Sequence, residues 1–334
     1  MLGNTFKVLF ALILCVSMLA SAAWAGSTFH DPKSGAPLDC PPSSYKGISK
    51  VKPDGAKPVK VKPYSGLTSR FGSLSGLNPM SWGNACCLPG PARGQFRLGT
   101  TVFFARLNAE AKKGVTTTGI QPSVVRFEDD LGFKKNGNVI WSIDAHYQFR
   151  PRWGIRYSFE PVSMETSTRS TTTFTFMNRQ FTGNSQIRSK WERYTHRAGL
   201  VFNLSRKMGS NTNFFVDWMV IQDALSIGGV QAGQSSVTWD DTKNLAVLGV
   251  EFERCLKNYR GNTLAIGCKG GIAFLDDNVG YEAEAALSYL IPIKRGRFGF
   301  VKGGYRYANL KKDTDNEMFS STMDGAFVQV GFIF

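Results

Sequence analysis

Asp144 and His146 come closer than any other residues of this 334-residue chain to a recognisable piece of chemistry. Side chains two apart on a strand fall on one face. There a carboxylate could orient an imidazole, which could take a proton from water or a hydroxyl. The pair lies in mid-strand, however, where an interior ion pair is the better reading. His196, in Tyr194-Thr195-His196-Arg197, has no acid two residues away. Glu128, Asp129 and Asp130, with Asp276 and Asp277 in a second loop, offer hard oxygen ligands of the kind that hold Ca²⁺. Their spacing fits no EF-hand-type loop, so a solvated acidic loop is preferred and the metal is left unassigned. Beyond the first 25 residues the cysteines are Cys40, Cys86, Cys87, Cys255 and Cys268. Cys255 and Cys268 flank an expected turn and form a candidate disulfide. Strict alternation sets one inward and the other outward, so the bridge requires Cys255 to leave its strand. Cys86 or Cys87 could bridge to Cys40, and an odd number leaves one thiol over. There is no Cys-x-x-Cys-His run and no Cys/His cluster with zinc spacing. No cofactor is expected.

The elements that would position these residues are strands. From Gln95 to Phe334 apolar and polar residues alternate between turn signals. Ten strands are expected near 95–109, 138–150, 152–166, 186–204, 212–225, 237–254, 263–275, 279–293, 297–309 and 323–334. Tight turns at Arg150-Pro151-Arg152 and Lys294-Arg295-Gly296-Arg297 alternate with longer connections at 110–137, 167–185, 226–236 and 310–322, and only Asp276-Asp277-Asn278 breaks the pattern. This is the rhythm of a transmembrane barrel with short periplasmic turns and long external loops. The expected fold is all-β, an antiparallel transmembrane β-barrel of about ten strands, with eight or twelve as alternatives. Thr171 to Phe181 could extend a hairpin. A mean hydropathy of −0.17 agrees, because every second strand residue faces the lumen and is free to be polar.

Alternation also sorts the faces. Trp141, Ile143, Ala145, Tyr147 and Phe149 face lipid, and Ser142, Asp144, His146, Gln148 and Arg150 face inward. The same parity on other strands sends inward Arg156, Glu160, Arg197, Glu251, Glu282, Glu284, Lys302 and Arg306, with Arg97, Arg193, Asp217, Glu253 and Lys269. A barrel near ten strands is narrow, and side chains can fill much of it. Two readings stay open: an interlocked ion-pair core, and a narrow hydrated pore whose charges select solutes.

The ends fix the expected compartment. Residues 1–25 read as a signal peptide, with Lys7 in the n-region, Val8 to Ala20 as the apolar stretch and Ala23-Trp24-Ala25 as a cleavage site. Residues 26–94 hold most of the prolines and a run of lysines. This stretch is too poor in apolar surface to offset the entropy of ordering, so a disordered basic periplasmic arm, or a plug, is expected. The formal net charge is +15. Export argues against nucleic acid, and a peptidoglycan-associated or periplasmic partner suits the arm better. The last strand carries Val330, Phe332 and Phe334 on one face. It resembles the C-terminal assembly signal of bacterial outer-membrane barrels, which implies outer-membrane lipid, lipopolysaccharide and the barrel-assembly machinery as partners.

Val124-Val125-Arg126-Phe127-Glu128-Asp129-Asp130-Leu131-Gly132-Phe133, followed by Ile140 to Arg150 and the turn into Trp153, resembles a group of uncharacterised small proteobacterial outer-membrane β-barrel proteins. That group has an acidic Asp-Asp-Leu-Gly first loop and an aromatic-rich strand pair. The resemblance covers about 124–204 and the last strand, and implies a barrel without an established activity. Omptin proteases and lipid A-modifying acylases and deacylases are the enzymatic rivals. Asp240-Asp241 resembles the omptin acidic pairs near the strand tops, but an omptin also needs a His two residues from an Asp near a loop, and Asp144-x-His146 lies elsewhere. The expectation is a non-enzyme: narrow porin-like solute passage or an envelope structural role, with the barrel as anchor and the arm as binder as the alternative.

Overall fold

The computed structural model describes residues 94–114, 122–207, 209–229, 236–259, 262–293, 297–314 and 316–334. The expected signal peptide, nearly all of the expected arm, and Cys40, Cys86 and Cys87 lie outside them. The described chain is built of β1 (Gln95–Lys113), β2 (Val125–Arg126), β3 (Asn138–Arg150), β4 (Trp153–Arg169), β5 (Phe174–Phe176), β6 (Arg179–Phe181), β7 (Gln186–Lys207), β8 (Ser210–Gly229), β9 (Ser236–Tyr259), β10 (Asn262–Leu275), β11 (Asn278–Pro292), β12 (Phe298–Asp313) and β13 (Glu317–Ile333). Among the described residues no helix is long and apolar enough to cross a membrane.

Ten of these strands close a barrel. Its order is β1-β3-β4-β7-β8-β9-β10-β11-β12-β13, each strand antiparallel to the next, and β13 returns to β1 over seventeen register pairs from Arg97↔Ile333 to Lys113↔Glu317. Closure leaves no end strand without a neighbour on both sides. The Thr171–Phe181 stretch does not add to the wall: β5 and β6 form their own two-stranded sheet. Asp276-Asp277 is a two-residue turn at the long-loop end, which accounts for its departure from the length rhythm.

The strands overrun their expected limits at the loop end. β1 has 19 residues, β7 22 and β9 24, where about ten tilted residues cross the hydrocarbon layer. The surplus has a polar outer face: Arg106, Asn108, Glu110 and Lys112 on β1, and Thr238, Asp240, Thr242 and Asn244 on β9. Below it lies an apolar belt of exposed side chains, including Phe104, Trp141, Ile155, Leu200, Val216, Leu287 and Val330. The barrel therefore stands as a collar beyond its own belt. β10 ends opposite Ala246, below the collar residues of β9, and Lys312 reaches Asp241 at 3.0 Å.

Inside, the lumen is layered. At the loop end Phe127, Leu131, Phe133, Trp191, Trp239 and Phe319 are buried in one apolar cluster. At the short-turn end Cys255, Ala265, Leu290, Phe300 and Ile333 form another, with Phe298 packed against it. The charged residues lie between and among these layers.

Candidate functional site in the barrel lumen

The upper charge cluster hangs from Asp223 on β8. Arg193 of β7 donates to it through Nε at 2.8 Å and Nη2 at 3.1 Å, Trp191 through Nε1 at 3.1 Å, and Lys243 of β9 through Nζ at 2.8 Å. Lys243 also meets Asp241 at 2.6 Å, Asp241 meets Lys312, Lys312 meets Glu317 at 3.2 Å, and Lys113 closes on Glu317 at 2.5 Å. This chain of alternating charge runs round the collar from β7 to β1. Aromatic plates complete it: Lys243 lies 4.5 Å from the Phe319 ring centre and Arg193 4.9 Å from Trp191.

The middle cluster hangs from Asp217 and the two glutamates of β11. Asp217 accepts from Arg156 and Arg197, and Arg197 grips Glu282 with both terminal nitrogens at 2.7 and 2.8 Å. Lys269 adds to Glu282 at 3.2 Å. Glu284 takes Lys302 and Arg306, and Arg306 reaches across to Glu160 at 3.1 Å. Two glycines make the space. A Cβ on Gly199 would meet the Asp217 carboxylate at 2.1 Å, and one on Gly249 the Phe215 ring at 2.3 Å. Phe215 is fully buried, with the Arg156 guanidinium 3.7 Å above its centre. Charges taken from water need partners of this quality to offset their desolvation.

Among the described residues, two cavities of about 130 and 120 Å³ lie in the lumen. They share Asp144, Ser158, Arg197, Lys269 and Arg306 as lining. Each is large enough to hold water.

The inward charges stand where alternation puts them, with one correction. Arg150 is exposed at the turn opposite Trp153, because the β3–β4 register slips between Gln148 and Arg150. One slipped residue moves a side chain to the other face. Asp144 is held by Gln329 at 3.0 Å and Thr101 at 3.2 Å. His146 and Glu251 line the smaller cavity, and the buried Nε2 of His146 has no hydrogen-bond partner. Asp144 thus does not orient His146.

Cys255 is disulfide-bonded, but not to Cys268. Cys255 stands opposite Ala265 and Cys268 opposite Phe252, three register steps apart, which exceeds the Cα separation of about 4.4–6.8 Å that a disulfide spans. Glu128 turns to Lys135 at 3.2 Å, Asp129 to Arg126 at 3.7 Å, and Asp130 to the Arg126 amide at 2.8 Å and the Thr172 hydroxyl at 2.7 Å. The three carboxylates diverge, and among the described residues no acidic group converges on a metal position. Val330, Phe332 and Phe334 face outward at the short-turn end, and Phe334 stacks on Phe96. Asp223, Lys243, Lys312 and Glu317 were missed as lumen residues. For Asp223 and Lys243 the signal was present, since they share the parity of Asp217 and Glu251.

No protein-family model and no curated protein sequence matches the chain. Solved structures resemble it weakly. The attachment invasion locus protein Ail of Yersinia pestis is 12% identical over 73% of this chain and 100% of its own, with a TM-score of 0.34. The outer membrane protease OmpT of Escherichia coli is 7% identical over 72% and 95%, with a TM-score of 0.39. A Pseudomonas aeruginosa FadL homologue is 8% identical over 73% and 92%, with a TM-score of 0.30. At these values the barrel rests on its own strand ladders.

Proposed function

We propose that this chain is an outer-membrane scaffold, a barrel held shut by its own lumen, with the short-turn end periplasmic and the collar external. The observation that carries the reading is the packed ion-pair belt, from Arg193–Asp223 to Arg306–Glu160, set among apolar layers under the folded first loop. Val330, Phe332 and Phe334 serve the barrel-assembly machinery, and the belt and collar meet outer-membrane lipid and lipopolysaccharide. The basic arm serves a periplasmic or peptidoglycan-associated partner. The reading calls for no cofactor, no nucleic acid and no catalysis.

Single-channel recording in a planar bilayer tests it. Protein shown to be folded by heat-modifiable gel migration should give no discrete steps. Steady steps whose ion selectivity changes in Glu282→Gln or Lys302→Gln would replace this reading with a second one, narrow solute passage. Two adjoining cavities that share Asp144, Arg197, Lys269 and Arg306 in their lining favour that second reading, which requires the first loop to move.

A further inference from the structure

Below the collar, the lipid-facing wall made by β3, β4 and β7 has a polar pair set in apolar surface. Tyr157 Oη lies 2.9 Å from His196 Nδ1. Around them Phe159 packs on His196 with ring centres 4.9 Å apart, Tyr194 stacks on Phe159 and Trp141 meets it edge-on. An imidazole at the margin of a lipid-facing belt is costly unless something polar meets it.

The wall is also incompletely sewn at this place. The β3–β4 ladder stops at Ile143↔Phe159, although β3 stays paired with β1 to Asn138 and β4 stays paired with β7 to Arg169. Pro161, two residues beyond the last pair, has no N–H to contribute. Backbone groups on such an edge, facing lipid, require polar partners. Further up the same outward face of β7 stand Glu192, Lys190 and Arg188. Both cations are well exposed, at 47% and 69%, and each is held only by a surface carboxylate, Glu192 and Glu165 respectively. Six strand residues separate Lys190 from His196, about 20 Å along the strand and ~14 Å in height at the usual tilt.

We propose that this wall binds a phosphorylated glycolipid of the surrounding leaflet. An acyl chain lies on Trp141, Ile143 and Phe159. The linkage oxygens meet His196, Tyr157 and the open β3–β4 edge, and a phosphate on the sugar head meets Lys190 and Arg188. The proposal rests on the outer-membrane reading, which cell fractionation tests separately.

The experiment is native mass spectrometry of the folded full chain in mild detergent, titrated with diphosphoryl lipid A and with its dephosphorylated form. The expected result is one lipid retained per barrel, with the dephosphorylated form weaker by about tenfold or more. His196→Phe with Tyr157→Phe, and separately Lys190→Gln with Arg188→Gln, should each weaken retention by about tenfold. Leu287→Phe, on a distant wall, should leave it unchanged. Equal retention of both lipids, or equal retention by wild type and both double variants, overturns the site. If the aromatic variant loses heat-modifiable migration, the Lys190/Arg188 variant decides alone. Retention failing in a protein that fractionates with the outer membrane sinks only this site.

Discussion

Asp223 shows what a single lumen carboxylate does. It is 2% exposed and satisfies Arg193, Lys243 and the Trp191 indole together. Asp223→Ala leaves Arg193 buried without a carboxylate and Lys243 with Asp241 alone, and should lower barrel stability by about 3–5 kcal/mol, read as the urea midpoint in lipid vesicles. Asp241 adds a pH dependence. It lies in the collar, between the outward polar residues Asp240 and Thr242, beyond the apolar belt. Burial opposes its charge, but hydrogen bonds and the charges of Lys243 and Lys312 outweigh burial and hold its carboxyl below the ordinary aspartate range. A folded-state value lowered in this way contributes stability above the unfolded value, lost as pH falls through the folded one. Acidification should therefore lower the wild-type midpoint more steeply than that of Asp241→Asn. Which residues face inward was legible from parity alone, down to Glu282 and Arg306. Arg150 was not, because parity fails after a register slip. The partners were not legible either, since Glu160–Arg306 joins residues 146 apart in sequence.

At the scale of elements, the first loop is the largest addition to the alternating pattern. Leu131 is fully buried and Phe127 and Phe133 nearly so, pinned when the Phe127 amide donates to the Ala109 carbonyl at 2.9 Å and the Leu107 amide to the Lys135 carbonyl at 2.8 Å. The acidic motif is the turn that makes this entry. Asp130 caps it, and Gly132 takes a positive φ of 75° where a Cβ would stand 2.6 Å from Thr168. A lid held by one turn should loosen when the turn is strained. Gly132→Ala should destabilise the lid by about 1–3 kcal/mol, seen as faster cleavage of residues 122–137 by added protease with the barrel's heat-modifiable migration intact. Equal cleavage rates would show that Gly132 does not hold the lid. Sequence located the loop but read it as solvated, because three consecutive carboxylates look like surface until Leu131 and Phe133 find an apolar mouth to enter.

Taking the molecule whole, β13 pairing with β1 closes the ring of strands, and the lumen then has to be filled or wetted. It is largely filled. If the filling is what keeps the barrel shut, removing both the lid anchors and one middle pair should be needed to open it. Leu131→Ser with Phe127→Ser should remain silent in planar bilayers, whereas the same pair combined with Arg197→Ser should give conductance steps. Steps from the lid variant alone would place the only barrier at the mouth. The residues alone were enough for the all-β class, a barrel of about ten strands, and the inward and outward faces apart from Arg150. These follow from a two-residue period and from turn residues, which are local properties of the chain. That the charges interlock, that the first loop enters the mouth, that Cys255 does not meet Cys268 and that the β3–β4 seam is left open emerge in three dimensions alone. Those depend on register and on which strands meet across the barrel, and no local pattern encodes them.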